Sequence, residues 1–561
     1  MLKQADATRT RAAAHGTGAL RRQLPAWIEH LPPCNAACPA GENIQAWLDL
    51  AQAGRYRAAW ETLVRDNPLP AVHGRVCYHP CETGCNRVEL DAAVSIHAVE
   101  RFLGDLATAE GWPYPVDAEP SGRRVLVVGA GPSGLSAAYH LTRLGHAVEI
   151  YEAGPLPGGM MHFGIPAYRL PRADLLREIG RIEAMGVKIV TNHRVDDLLA
   201  EMKAGEFDAV FIAIGAGIGK HVEIPARDAV RVLDAVSLLH NVTTGEAPLL
   251  GRRVVVYGGG NTAMDAARTA KRLGADEALI VYRRDRAHMP AHAFEADEAI
   301  EEGVKIKWLT SIKEIIGPEL TVEAMELDAG GRPRPTGRFE TLHADAIVLA
   351  LGQDTDSGFL RQVPGIEFTT NGSIEVGPDM MTGHPGVFAG GDTVPGVRSV
   401  TTAVGHGKQA ARYIDAWLQG VRYAQSPKHP PVSFDMLDLP VFLEAARKAE
   451  PQLPLTARVT FDEVVQGLSE LEARFEAGRC LSCGNCFECD SCLAACPEQA
   501  ITSLGDGHGY RVEADLCTGC GICFEQCPCH AIEMSPEAEP PATPLGTFGE
   551  PLAPHRFQLR E

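Results

Sequence analysis

Two stretches near the C-terminal end repeat one spacing of cysteines, and this repeat limits what the chain can fold into more than any other feature. Residues 486–497 read CFECDSCLAACP and residues 517–528 read CTGCGICFEQCP, both C-x2-C-x2-C-x3-C-P. Three thiolates at this pitch let one loop wrap three corners of a [4Fe–4S] cubane, and the cysteine before proline crosses to the other cluster. The spacing therefore assigns Cys486, Cys489, Cys492 and Cys527 to one cluster, and Cys517, Cys520, Cys523 and Cys496 to a second. Zinc also binds Cys-x2-Cys pairs, but it favours two separated pairs over a run of three followed by Cys-Pro. Of sixteen cysteines, five lie within residues 34–85 and eleven within 480–529, with none between. This clustering, with no apolar leader at the N-terminus, predicts metal ligation in a reducing cytoplasm and not a disulfide framework.

At 561 residues the chain has room for several domains. The formal net charge of −20 argues against binding nucleic acid through phosphates, which needs a basic face. No apolar run approaches the ~18 residues of a membrane span. G-x-S-x-G, H-E-x-x-H and P-loop patterns are missing, so hydrolase and kinase readings have no support. Residues 1–24 read as a surface arm.

Two segments carry dinucleotide fingerprints. Residues 124–134 read RVLVVGAGPSG: an apolar strand runs into Gly129, Gly131, Pro132 and Gly134, a helical pattern follows, and a second strand ends at Glu152. The first glycine makes the turn, the second lets a pyrophosphate approach, and the third lets helix and strand pack. The acid accepts from a ribose hydroxyl. Residues 253–263 repeat the theme as RVVVYGGGNTA, with Gly258, Gly260, Asn261 and Thr262 at the turn. Its second strand ends in Arg283 and Arg284 where the first ended in Glu152. Two guanidinium groups there suit a 2′-phosphate, which favours NADP(H) over NAD(H). A third stretch, GVFAGGDTVPGVRSVTTAVGHGKQAAR at 386–412, delivers Asp392 after a strand and opens a helix near Thr401 and Thr402.

The phrases GAGPSGLSAAY, GGMMHFGIPAYRLP, GGGNTAMDAAR and GVFAGGDT carry a resemblance. Over residues 124–423 the chain resembles the small, NADPH-oxidising subunit of bacterial glutamate synthase, a module also found in dihydropyrimidine dehydrogenase. The resemblance implies that Gly159, Met160, Ile165 and Arg169 line a flavin. It also implies that Asp392 holds the ribityl chain and that the helix N-terminus at Thr402 faces the flavin. Residues 486–528 resemble a bacterial two-cluster ferredoxin. In the N-terminal part the family's helical cluster domain is matched by PCNAACPAG and GRVCYHPCETGC, implying one cluster on Cys38, Cys77, Cys81 and Glu100. The family's other N-terminal cluster needs four cysteines, and here the chain departs: Ala26 and Glu29 stand where two should be, leaving Cys34 and Cys85. The missing phrase reappears at 472–484 as EARFEAGRCLSCG, which supplies Cys480 and Cys483. The expectation is that these two complete a fourth cluster, with Cys529 left over. If they stay free thiols, three clusters remain.

The expected architecture is multidomain α/β. A helical N-terminal [4Fe–4S] domain takes 1–118, and an FAD-binding domain lies in two parts, 119–229 and 351–423. An NAD(P)H-binding domain is inserted at 230–350. A linker (424–475), a two-cluster ferredoxin domain (476–535) and a tail (536–561) follow. The expected function is an electron-transfer subunit of a larger oxidoreductase. It passes electrons between NAD(P)H and a catalytic partner subunit or soluble ferredoxin, through FAD and [4Fe–4S] clusters. The alternatives are a free-standing NAD(P)H:ferredoxin oxidoreductase and, more remotely, a non-enzymatic iron–sulfur redox sensor, which would need no hydride donor. No side chain is assigned as catalytic, because hydride passes between cofactors.

Overall fold

A computed structural model describes residues 21–537, except 117, 220–223, 228–230, 426–428 and 506. Most of the expected N-terminal arm and nearly all of the tail lie outside the described residues.

The N-terminal unit is helical. In Ile44–Gln52 the residues Ile44, Trp47, Leu48 and Ala51 recur at helical spacing and are all buried, and Asn43 caps the first turn through Ala46 N. They pack on Trp60, Leu63 and Val64 of Tyr56–Val64 and on Val99 and Leu103 of Ile96–Ala109. Another helix, Glu470–Gly478, joins this bundle from far along the chain. It opens with a capping box of Ser469 and Glu472 and buries Ala473, Glu476 and Ala477. Glu476 accepts from Ser95 N at 2.9 Å and pairs with Arg479 at 2.8 Å.

Two parallel sheets follow. In the first the strand order is Val387–Ala389, Ala209–Ile212, Arg124–Val128, Ala147–Tyr151, Lys188–Val190. Helices Pro132–Arg143 and Val400–Gln419 pack against each other on one side of it. In the second the order is Lys305–Lys307, Glu277–Val281, Arg253–Tyr257, Ala346–Leu349, Arg231–Asp234. All its strands fall, in sequence, between two strands of the first. The near-continuous apolar runs of both suit sheets covered on both faces. A four-stranded sheet with the long hairpin Glu319–Leu327/Pro333–His343 packs Ile312, Ile315, Leu320 and Val322 onto Val255, Tyr257 and Ile347. No helix among the described residues is long and apolar enough to cross a membrane.

The C-terminal unit is small and is stitched to the start of the chain. Ile532–Pro536 pairs antiparallel with Gln23–Trp27, with Ala26 opposite Glu533. Ala26, which stands where the resembled family has a cluster cysteine, thus lies in a strand of this unit, and Glu29 follows just after it.

The stretch read as a linker, 424–475, is not a free spacer. It has little regular structure, but polar contacts hold it on the helical bundle and the second nucleotide unit. His97 lies between Glu82 at 2.6 Å and Glu450 at 2.9 Å, Arg101 reaches Glu463 at 2.9 Å, and Arg272 donates to Thr460 O. Burial alone would lower the His97 pKa, but Glu82 and Glu450 outweigh it and hold it up at about 9. The folded value exceeds the unfolded one near 6.5. The stabilisation, about 3 kcal/mol at most, is therefore complete below pH ~6.5 and is lost as pH rises through about 9. Limited proteolysis between residues 440 and 468 should be slow at pH 7 and fast at pH 10, and His97→Gln should bring the fast cleavage to pH 7.

Candidate functional site: two nucleotide cradles and four cysteine groups

In the first cradle the backbone is so tight that side chains are excluded. Gly129, at φ +106°, would place a Cβ 2.5 Å from Ala213 O, and a Cβ on Gly134 would meet Gly129 O at 2.0 Å. Gly131, which caps Pro132–Arg143 with Pro132 at its start, has open space in front of it. The open face, the free helix N-terminus and the clamped glycines on either side fit a pyrophosphate. Glu152 is oriented by two amides, Ala130 N at 2.8 Å and Gly154 N at 2.7 Å. Gly159, at φ +52°, would place a Cβ 3.0 Å from Gly131 Cα, and it leads into Met160–Phe163, whose first carbonyl accepts from Ile165 N. From the far end of the sheet Gly391 arrives beside Ser133, and its N–H donates to His406 Nδ1 at 3.1 Å. Burial pushes Asp392 up to about 6, with Arg398 opposing. Ser399 caps Val400–Gln419 by accepting from Thr402 N. The structure therefore brings Gly129, Gly131, Gly134, Gly159 and the Gly391–Asp392 turn to one place. Arg169 turns elsewhere: it forms ion pairs with Asp265 at 2.9 Å and with Glu295, both on the second nucleotide unit.

The second cradle repeats the clamp. Gly258, at φ +152°, would set a Cβ 2.2 Å from Ala350 O, while Gly260 faces open space at the start of Asn261–Arg272. Asn261 Oδ1 accepts from His292 N at 3.0 Å, and Thr262 follows it in the first turn. Arg283 and Arg284 follow the strand Glu277–Val281. Neither is paired with a carboxylate among the described residues, and Arg284 Nε is buried without a partner. An unpaired buried guanidinium donor is what an incoming phosphate would satisfy.

The cysteines form four groups. Burial, then Cys486, Cys527 and Cys489, pushes the Cys492 thiol up to about 12, so Cys527 has crossed to the first loop. Burial, then Cys517, Cys520 and Cys496, pushes Cys523 up to about 11. Cys496, Cys517, Cys520 and Cys523 line one cavity. Another cavity is lined by Cys34, Cys85, Cys480 and Cys483 with Leu48, Val94 and Ile96. Burial followed by Cys480, Cys85 and Cys483 drives the Cys34 thiol well up. Cys38, Cys77 and Cys81 gather around Glu100, which burial followed by Glu42 and Cys77 pushes well up. Sequence reasoning missed Glu42, buried beside Cys38, together with Asn67, which donates to Glu100 at 2.7 Å and to Glu42 at 3.1 Å. It also missed His73, 3.7 Å from Glu100. None of the three carries a motif signal.

One local geometry recurs in these loops. Two residues after a cysteine the backbone turns left-handed, at His79 (φ 54°), Ser482 (φ 48°), Glu488 (φ 57°) and Gly519 (φ 69°). The N–H then points back at sulfur: His79 N to Cys77 Sγ, Ser482 N to Cys480 Sγ and Gly519 N to Cys517 Sγ, each 3.4 Å. Such a turn is unfavourable for a residue with a side chain. Amide donors aimed at sulfur stabilise thiolate, which fits an anionic cluster.

Known proteins show the same composition of units. The family model for pyridine nucleotide-disulphide oxidoreductases matches residues 123–407. The model for dihydropyrimidine dehydrogenase domain II, 4Fe-4S cluster, matches 29–112, and that for a 4Fe-4S dicluster domain matches 485–531. The chain is 36 % identical over 524 residues to the NADP(+)-dependent formate dehydrogenase subunit beta of Moorella thermoacetica, covering 83 % of this chain and 73 % of that one. It is 35 % identical over 511 residues to the NADPH-Fe(3+) oxidoreductase subunit beta of Geobacter sulfurreducens, covering 81 % and 75 %. It is 34 % identical over 425 residues to the glutamate synthase [NADPH] small chain of Escherichia coli, covering 69 % and 89 %. With both nucleotide cradles and the cysteine groups in place, the chain belongs to the pyridine nucleotide-disulphide oxidoreductase family, as an FAD- and NAD(P)-dependent iron–sulfur oxidoreductase akin to the glutamate synthase small chain.

Proposed function

We propose that this chain is the electron-transfer subunit of a larger oxidoreductase, exchanging electrons between NADPH and a catalytic partner through FAD and four [4Fe–4S] clusters. The observation that carries the four-cluster reading is the loop at Cys480. Its left-handed Ser482 and its amide-to-sulfur contact repeat those of the ferredoxin-type loop at Cys517. Two similar proteins are named as subunits, which favours a partner chain over a free-standing reductase.

A bound flavin supplies the exchange between two-electron hydride chemistry and one-electron cluster chemistry. The chain's own part is to hold and orient. Gly131 and the start of Pro132–Arg143 would take the FAD pyrophosphate, Glu152 its ribose, and Asp392 with the helix end at Thr402 the ribityl chain. Gly258, Gly260, Asn261 and Thr262 would take the NADPH pyrophosphate, with Arg283 and Arg284 on the 2′-phosphate. Cys38, Cys77, Cys81 and Glu100 would hold one cluster, and Cys34, Cys85, Cys480 and Cys483 another. Cys486, Cys489, Cys492 and Cys527 would hold a third, and Cys496, Cys517, Cys520 and Cys523 a fourth.

The test is anaerobic bleaching of the flavin. NADPH should bleach it faster than NADH. Replacing both Arg283 and Arg284 by alanine should raise the KM for NADPH by at least roughly 10²-fold, as for loss of charge-assisted bonds of about 1.5–3 kcal/mol each, and leave NADH unchanged. Equal bleaching by both nucleotides in the native protein would refute the NADPH assignment. A lone chain in anaerobic native purification, with no stoichiometric partner, would refute the subunit assignment.

A further inference from the structure

Among the hydrogen bonds that reach cysteine sulfur in the four groups, one comes from the element that faces the flavin cradle. Thr401, 3 % exposed, stands second in the helix Val400–Gln419, and its Oγ1 lies 3.1 Å from Cys77 Sγ. The same helix is packed down on the loop that follows Cys38. A Cβ on Gly405 would meet Pro39 O at 2.1 Å, and Lys408 donates to Ala40 O at 3.0 Å, to Gly41 O at 2.9 Å and to Asp66. One rigid element therefore joins the Asp392 turn to the Cys38 and Cys77 loops, and Thr401 is its hydroxyl contact with sulfur.

We infer that Thr401 is a positioning residue: its hydroxyl donates to the sulfur of Cys77 and so raises the potential of the cluster that Cys38, Cys77, Cys81 and Glu100 would hold. The inference rests on the ligand set proposed above. A hydrogen bond to a cluster sulfur favours the more negatively charged, reduced form. Reduction of such a cluster would need one electron, which NADPH would supply by way of a bound flavin, and Thr401 would keep its proton throughout. His79 N contacts the same sulfur from the backbone, so Thr401 is the part that side-chain substitution can remove.

The experiment is an anaerobic mediator titration of the intact flavin- and cluster-loaded protein, followed by electron paramagnetic resonance. Thr401→Val keeps the volume and removes the donor. It should make one cluster harder to reduce, changing its oxidised-to-reduced ratio at fixed potential by roughly tenfold, or about 59 mV for one electron. The other midpoints and the iron content should be unchanged. Thr401→Ser should titrate like the native protein, and Thr401→Ala serves as the second donor-free variant if the valine protein does not accumulate. Unchanged midpoints in a donor-free variant with full iron and flavin would overturn the inference. A Cys38→Ser protein that keeps all its iron and all its cluster signals would instead overturn the ligand set.

Discussion

Replacing Cys480 and Cys483 together by serine should remove about a quarter of the iron, from about sixteen to about twelve atoms per flavin, without loss of flavin. NADPH should still bleach the flavin, because neither nucleotide cradle contains these residues. Reduction of the two C-terminal clusters by NADPH should fall by well over 10²-fold, since loss of even an outer-shell partner costs about 10–100-fold and here two direct ligands go. The expected break is local. Gly484 N, next to Cys483, donates to Cys529 O at 2.6 Å, and Cys529 Sγ lies 3.8 Å from Cys527 Sγ. The Cys483 loop is thus joined through one peptide hydrogen bond to the loop of the neighbouring group, so a cluster there would link the helical bundle to the C-terminal unit, and its loss should break that link. A native protein with about twelve irons per flavin, unchanged in the double variant, would leave Cys34, Cys85, Cys480 and Cys483 as plain thiols.

Ligand loops and glycine clamps were legible because their chemistry fixes short-range spacing. C-x2-C-x2-C-x3-C-P and G-x-G-x-x-G need particular residues at particular steps, so Cys527 and Gly134 can be placed from sequence alone. Even the displaced phrase at 472–484 kept its local spelling, and the structure brings Cys480 and Cys483 to the cavity of Cys34 and Cys85. What sequence did not carry were contacts made by single residues far apart in the chain. Glu42 beside Cys38, Thr401 on Cys77 and Glu450 on His97 each rest on one side chain with no pattern around it. The segment 424–475 misled for a related reason. Its proline-rich composition leaves it little regular structure before the helix Glu470–Gly478, but docking by ion pairs and backbone contacts needs none. The pairing of Gln23–Trp27 with Ile532–Pro536 gives no signal, because both are short and lie some five hundred residues apart in the chain. Arg169 has partners its phrase did not show. Its phrase pointed to a flavin lining, while its guanidinium lies across the junction of the two nucleotide units.

That junction carries the second large effect. Arg169 leaves the first nucleotide unit to meet Asp265 on Asn261–Arg272 and Glu295 on Ala293–Glu301, and all three side chains are nearly inaccessible. Beside it Tyr168 lies under Arg272 at 3.8 Å and Arg268 at 4.8 Å, so the contact is tightly packed as well as charged. Replacing Arg169 by methionine keeps much of the volume but leaves two carboxylates without their cation. Breaking a buried pair from one side costs about 3–5 kcal/mol, because the remaining charge has neither water nor partner. Arg169→Met should therefore unfold at markedly lower denaturant concentration. Combining it with Asp265→Asn and Glu295→Gln removes all three charges from the junction and should recover part of that loss. The junction also sets how the NADPH cradle faces the flavin cradle. A misplacement of about 1 Å costs on the order of 10²-fold in rate, so hydride transfer from NADPH in the single variant should slow by that order even when flavin is fully bound. Flavin loss at native stability would instead return Arg169 to the flavin lining. Native stability, flavin content and bleaching rate together would show that the two units hold their alignment without it.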